Sequence, residues 1–268
     1  STQIECFGLV RVSIRCNEPI ATASYFRLPG SGRFVCLQQG VICGGGLVEL
    51  SAEQEARSTE ERETEVHWQE SQIKSPQREF RNGHRGCLLW LTGLSGSGKS
   101  TLAQEVASKL FSLGLQSYVL DGDNIRHGLN QDLAFSPQDR SENIRRIGEV
   151  GKLFADAGFI TIAAFISPYK QDRERVRALM TEQDFFEVYV QCPLEVCEER
   201  DPKQLYRKAR QGQIKSFTGV NAPYEAPDFA DLVVETDQHS SSQCSEEIFR
   251  FLLSLYRENF PRKLCTKR

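Results

Sequence analysis

The chain has 268 residues, room for one or two domains. Its 33 Lys and Arg stand against 36 Asp and Glu, a net charge of −3, which argues against a general polyanion binder such as a nucleic-acid protein. A hydrophobic fraction of 39% with 26% charged suits a globular core, and the longest apolar stretch, residues 159–166, is far shorter than the ~20 residues a membrane-spanning helix needs, which argues against an integral membrane protein.

Three compositional zones follow one another. Residues 1–50 hold four Arg, no Lys, scattered Ser and Thr and few acids, and their Gly-rich end, Gly44-Gly45-Gly46, gives no helical or strand period. Such a leader resembles a transit-peptide remnant and is expected to be disordered; it lacks an initiator Met, so a fragment is expected. Residues 51–85 are charged, with the acidic run at 60–65, and read as a linker or solvated helix, with an N-terminal arm from Val66. The folded domain is expected at 86–268. Nine Cys, an odd count without any Cys-x-x-Cys pair, read as reduced and mostly buried thiols rather than a zinc site or a disulfide framework.

Within the domain, apolar runs alternate with amphipathic segments. Strands are predicted over 87–92, 117–121, 159–166, 185–191 and 231–235. Helices are predicted over 99–113, over 141–157 with Ser141 as N-cap, and from Pro168 onward. Short apolar strands separated by helices imply a parallel sheet covered on both faces.

Residues 93–101 carry the strongest motif. Gly93-Leu94-Ser95-Gly96-Ser97-Gly98-Lys99-Ser100-Thr101 matches G-x-x-x-x-G-K-[ST] between a predicted strand and a predicted helix. Its glycines let successive backbone N–H groups turn inward around phosphate oxygens, and the helix start adds its positive dipole end. Lys99 can reach the β- and γ-phosphates, and the Ser100 hydroxyl can ligate Mg²⁺. At the end of the second strand, Asp121 and Asp123 fall where open parallel sheets bind ligands. Asp121 either takes a proton from an attacking hydroxyl or caps the short helix that follows. Arg126 can clamp an anion; Phe135, Arg140 and Asn143 suit a nucleoside plane and an anion, though Phe135 reads equally as core. Residues 203–219 hold five cations and no acid, a lid over phosphates or a solvated helix face.

Together these stretches resemble the adenylyl-sulfate kinase family over about 86–235. The similarity rests on 93–101, on Leu120-Asp-Gly-Asp-Asn-Ile-Arg-His-Gly-Leu-Asn130, on Phe135, Arg140 and Asn143, on Phe165-Ile-Ser-Pro168, and on the lid ending Phe217-Thr-Gly219. The resemblance implies a three-layer α/β/α P-loop kinase fold around a central parallel sheet. It implies transfer of the γ-phosphoryl group of ATP to the 3′-hydroxyl of adenylyl sulfate, with Mg²⁺, in sulfate activation. Carried over, it makes Asp121 the base, Lys99 a catalytic cation, and Ser100 and Asp123 the metal-side residues. Asp123, Arg126, Arg140 and Asn143 would hold the substrate, Phe135 and Phe217 would sandwich its adenine, and Ile166, Ser167, Lys203 and Ser216 would line the pocket. Some members carry phosphoserine at the position of Ser167, which puts Ser167 among the catalytic positions, although in-line transfer needs no covalent intermediate.

Gln204 stands where the family often has Gly, which would stiffen the lid hinge. The arm-to-helix disulfide of plant members would need cysteines where this chain has Ser71 and Gln104, so no such thiol switch is expected. No fused sulfurylase domain is expected after Arg268. The family is often dimeric, which makes a homodimer an expectation; the leader suggests a plastid, with the cytoplasm as alternative. The competing readings are another P-loop small-molecule or nucleoside kinase and a nucleotide-switch protein. A GTPase switch would carry Asn-Lys-x-Asp, and this sequence does not.

Overall fold

A computed structural model describes residues 33–38, 41–47, 69–181 and 184–257. The chain divides into two units, Ser1–Glu70 and Ser71–Arg268. In the first, β1 (Arg33–Gln38) pairs antiparallel with β2 (Val41–Leu47), with a register shift between Cys36 and Leu37. The Gly44-Gly45-Gly46 run, in which no strand period was expected, lies within β2. An antiparallel hairpin is held by backbone hydrogen bonds, and Phe34-Val-Cys-Leu37 are strand formers even without strict alternation. The rest of the expected leader and most of the 51–85 arm lie outside the described residues.

The second unit opens with α1 (Ser75–Asn82), inside the stretch read as linker or solvated helix. Its Arg78 donates to Asp156 Oδ2 at 2.7 Å, and Ser75 to Asp156 Oδ1 at 2.6 Å, at the end of a domain helix. There follow β3 (Cys87–Thr92), α2 (Lys99–Ser112), β4 (Ser117–Asp121), α3 (Gly122–Arg126), α4 (Pro137–Asp156), β5 (Ile160–Ala164), α5 (Lys170–Ala178), β6 (Phe185–Gln191), α6 (Leu194–Arg200), α7 (Leu205–Arg210), β7 (Leu232–Glu235) and α8 (Ser241–Arg257). The five strands β3 to β7 form one parallel sheet in the order β4-β5-β3-β6-β7.

Both sheet faces are covered, as the apolar strands require. β3 is buried along its whole length because alternate side chains enter two cores. Leu89 and Leu91 pack with Leu102, Val106, Ile248 and Leu252 on the side of α2 and α8. Leu88 and Trp90 pack with Ile144, Ile147 and Val176 on the side of α4 and α5. Burying such side chains contributes roughly 1.5–3 kcal/mol each. A third, smaller cluster joins Cys192 and Cys197 to Tyr206, Ala209 and Phe217 beneath the 203–219 segment.

Two predicted boundaries need correction. The N-cap of α4 is Ser136, whose hydroxyl accepts from Asp139 N at 3.1 Å, with Pro137 opening the helix; Ser141 instead donates to Asp172 Oδ2 at 2.7 Å. Proline fits the first helical position because its missing N–H has no partner there anyway. Helix α5 starts at Lys170 rather than Pro168, which sits in the extended approach to it. Helices α6 and α8 had no counterpart in the sequence reading.

Candidate active site

The chain leaves the centre of the sheet first toward β4 and later toward β7, so the loops after β3, β4, β5 and β6 converge at one crevice. That crevice is a cleft of about 1370 Å³. Its floor is the loop between β3 and α2. Gly98 caps α2 with φ 97, a left-handed conformation that glycine takes without steric cost. A Cβ on Gly96 would lie 2.9 Å from the Cys197 carbonyl oxygen, so a side chain there would push the loop off α6. Lys99 is 8% exposed, and its Nζ donates to Leu94 O at 2.6 Å. Burial pushes its ammonium down to about 8.

Asp121 takes the capping role and also faces the phosphate loop. Oδ1 accepts from Asp123 N at 3.0 Å and caps α3, while Oδ2 accepts from the Ser100 hydroxyl at 2.6 Å. The carboxylate therefore faces the phosphate loop across the crevice. Asp123 pairs with Lys203 of the lid segment. Ser100 and Asp121, rather than Ser100 and Asp123, are the adjacent hard oxygen donors. They fit Mg²⁺, which takes few protein oxygens and keeps the rest of its shell for phosphates and water. Among the described residues no group of three or more His, Cys, Asp or Glu forms a cage for a metal.

The opposite wall comes from α3, α4 and the lid. Phe135 is 59% exposed, with the Arg126 guanidinium 4.4 Å above its ring. Arg126 is held by Leu133 O at 3.0 Å and Ala134 O at 3.1 Å. Arg140 donates from Nε to Phe135 O at 3.0 Å and reaches Ser216 O and the Thr218 hydroxyl with its other nitrogens. Asn143 is buried and accepts from Asn130 at 2.9 Å. Near the start of the lid, Gln204 is one of two non-glycine residues with positive φ among the described residues, at 55. The Asp201 carboxylate caps α7 by accepting from Leu205 N at 2.8 Å and Arg207 N at 3.0 Å. Phe217 sits edge-on to Tyr206 with centroids 4.9 Å apart.

Most predicted residues thus border one cleft, among them Ser95, Gly96, Gly98, Lys99, Ser100, Thr101, Asp121, Asp123, Arg126, Phe135, Arg140, Asn143, Ile166, Ser167, Lys203, Ser216 and Phe217. Gly93, Leu94 and Ser97 support the loop without bordering it. Ser167 departs from the role of a reacting group. It is 2% exposed, its hydroxyl accepts from Trp90 Nε1 at 3.0 Å and donates to Thr92 at 2.9 Å, and its φ is 40. Sequence reasoning missed Arg200 and Thr236. Arg200 donates to Thr236 O at 2.5 Å, and the Thr236 hydroxyl to Ser97 O at 2.9 Å, tying the phosphate loop to the end of β7. The signal was available, since Thr236 directly follows a predicted strand and so lies at the ligand edge of the sheet. Ser71 bonds locally to Ile73, Gln104 lies in α2, and Cys87, Cys192, Cys197 and Cys244 are free thiols.

Comparison with known proteins points one way. The family model described as adenylylsulphate kinase matches residues 85–235. An adenylyl-sulfate kinase of Staphylococcus epidermidis is 54% identical over 187 residues, covering 70% of this chain and 94% of the relative. A probable adenylyl-sulfate kinase of Bacillus subtilis is 58% identical with the same coverage. Among solved structures, the Mycobacterium tuberculosis APS kinase CysC in complex with AMPPNP and APS superposes with a TM-score of 0.60 at 48% identity, covering 63% of this chain and 98% of that one.

Proposed function

This chain belongs to the adenylyl-sulfate kinase family, and we infer that it is an ATP-dependent phosphotransferase converting adenylyl sulfate to 3′-phosphoadenylyl sulfate and ADP. The observation that carries the reading is the 2.6 Å contact between Ser100 of the phosphate loop and Asp121 of β4, in a cleft whose far wall presents Phe135 and Phe217. A triphosphate on residues 93–101 and a nucleoside between the aromatic rings bring an alcohol and the terminal phosphorus to the carboxylate between them.

In the proposed reaction, the phosphate-loop N–H groups and Lys99 hold the β- and γ-phosphates and neutralise their charge. Asp121 accepts the proton of the 3′-hydroxyl as that oxygen bonds to phosphorus and the bond to the β-phosphate oxygen breaks, releasing ADP. Arg126, Arg140 and Asn143 line the end of the cleft suited to the phosphosulfate group, and Phe135 and Phe217, which border the same cleft, would stack on adenine. Lys203 approaches the phosphates from the lid, which its pairing with Asp123 draws over the cleft. Bound Mg²⁺, held by Ser100 with Asp121 beside it, would supply charge neutralisation at the β- and γ-phosphate oxygens.

Three finer points extend this reading. A homodimer is supported by Tyr118 of edge strand β4 and Leu153 of α4, both apolar and exposed, and sedimentation tests it. Plastid residence is supported by the acid-poor, Arg- and Ser-bearing leader, and a reporter fusion tests it. A domain beginning near residue 86, preceded by a leader over 1–50 and an arm over 51–85, is supported by the composition shift at Gly86; α1 and its bonds to Asp156 add part of the arm to it.

The direct test is ADP release from ATP with and without adenylyl sulfate. Release that depends on adenylyl sulfate is expected. Release that is indifferent to it, or that another alcohol elicits equally, overturns the acceptor assignment and favours a different P-loop kinase.

A further inference from the structure

Arg173, on α5, lies outside every motif discussed above and does not border the cleft, yet it is 3% exposed. Its Nε donates to Glu187 Oε1 on β6 at 2.7 Å, which anchors the guanidinium to the sheet. Its two remaining nitrogens donate to main-chain carbonyls, Nη1 to Ser167 O at 2.6 Å and Nη2 to Glu225 O at 2.7 Å. Ser167 belongs to the acceptor loop after β5 and holds a φ of 40, a region that non-glycine residues seldom occupy without outside support. Glu225 belongs to the segment on which the lid closes back into the domain.

Other bonds tie the Glu225 segment to this loop and to the end of β3. Glu225 N donates to Pro168 O at 2.8 Å, Lys170 N donates to Glu225 Oε2 at 2.7 Å, and the Tyr224 and Thr92 hydroxyls meet at 3.1 Å. The stretch from Phe217 to Ala222 is itself a tight turn, with three N–H groups converging on Phe217 O. The Ser167–Glu225 junction therefore bridges Ile166 to the Phe217 turn, beside the bonds that Arg140 makes to Ser216 O and the Thr218 hydroxyl. A planar guanidinium presents its donors in a fixed fork, which an ammonium cannot reproduce.

We propose that Arg173 is a positioning residue for the acceptor half of the site, riveting the left-handed Ser167 backbone to the root of the lid and so fixing the width of the nucleoside slot. The ATP half rests on residues 93–101, Arg200 and Thr236, to which Arg173 makes no hydrogen bond. The inference rests on the kinase reading above: the slot is the one read as holding adenylyl sulfate.

The test is steady-state kinetics of Arg173→Lys beside the unaltered chain. The KM for adenylyl sulfate is expected to rise about tenfold or more, while the KM for ATP stays within about twofold. A reporter that needs no acceptor accompanies it. In a Trp68→Phe background the remaining Trp90, bonded to Ser167, should shift its emission in Arg173→Lys without any ligand. Equal changes in both KM values, or no change in either, overturn the proposal, as does an unshifted Trp90. If Arg173→Lys fails to fold, Glu187→Gln leaves the guanidinium in place on a neutral anchor. It should raise the KM for adenylyl sulfate several-fold and leave that for ATP unchanged; absence of that split counts against the proposal. An unaltered chain that ignores adenylyl sulfate would refute the kinase reading, whereas the Trp90 signal would still judge the riveting role.

Discussion

Lys99 links nucleotide affinity to pH in a way that the structure makes quantitative. Buried beneath the phosphate loop and bonded to Leu94 O, its ammonium has an acid constant pushed down to about 8 by desolvation. The neighbouring Cys197 thiol is pushed up to about 12 by burial, so it keeps its proton throughout this range. A triphosphate favours the charged amine, so binding raises the Lys99 constant above its free value. The sign follows. Below about pH 8 the free enzyme already carries the proton and affinity is full; above it, each unit of pH requires a proton to be taken up and weakens binding by up to about tenfold, or about 1.4 kcal/mol. At pH 9 the dissociation constant of a fluorescent ATP analogue should be about tenfold larger than at pH 7. Lys99→Met should bind weakly at every pH without the step. Affinity that is flat from pH 7 to 9.5 in the unaltered chain would refute the reasoning.

Other perturbations act on separate parts of the account. Asp121→Asn keeps an oxygen to cap α3 but cannot accept a proton, and turnover should fall more than ~10²-fold with binding of both substrates retained; a variant with full turnover removes the base assignment. Phe217→Ala should raise the KM for adenylyl sulfate through lost stacking, and an unmoved KM contradicts the aromatic slot. His84 is buried and accepts Gln116 N at 3.0 Å on Nε2, and burial holds its constant below the ordinary value. The native state thus binds fewer protons than the unfolded chain. Stability is full above about pH 6.5 and is lost on acidification by up to about 1.4 kcal/mol per unit. Urea melts at pH 7.5 and 5.5 should show that loss, and His84→Gln should flatten it; an equal loss in the variant assigns it to other groups.

Much of this molecule is legible in the sequence because parallel strands buried on both faces read as unbroken apolar runs. Cys87–Thr92, Ser117–Asp121 and Phe185–Gln191 begin and end where they were predicted. The phosphate loop is legible for a related reason, since its glycines and Lys99 meet local geometric needs within nine residues. The boundaries of α4 were less so, because Ser136 and Ser141 are both plausible caps and only Pro137 separates them. Helix α8 was overlooked although Cys244, Ile248, Leu252 and Tyr256 recur at four-residue spacing on its buried side. The remainder was not locally encoded. Arg173 sits in a run of charged residues, and its partners lie six, fourteen and fifty-two positions away. The choice between Asp121 and Asp123 as the neighbour of Ser100 depends on the turn of α3, which only the folded chain decides.

The measurement closest to the central claim follows the phosphorus itself. With γ-labelled ATP and adenylyl sulfate, the label should appear as a monoester on the ribose 3′-oxygen of a product that retains its sulfate, and Asp121→Asn should all but abolish its appearance. Label recovered only as inorganic phosphate, or on an acceptor other than that hydroxyl, would contradict the account.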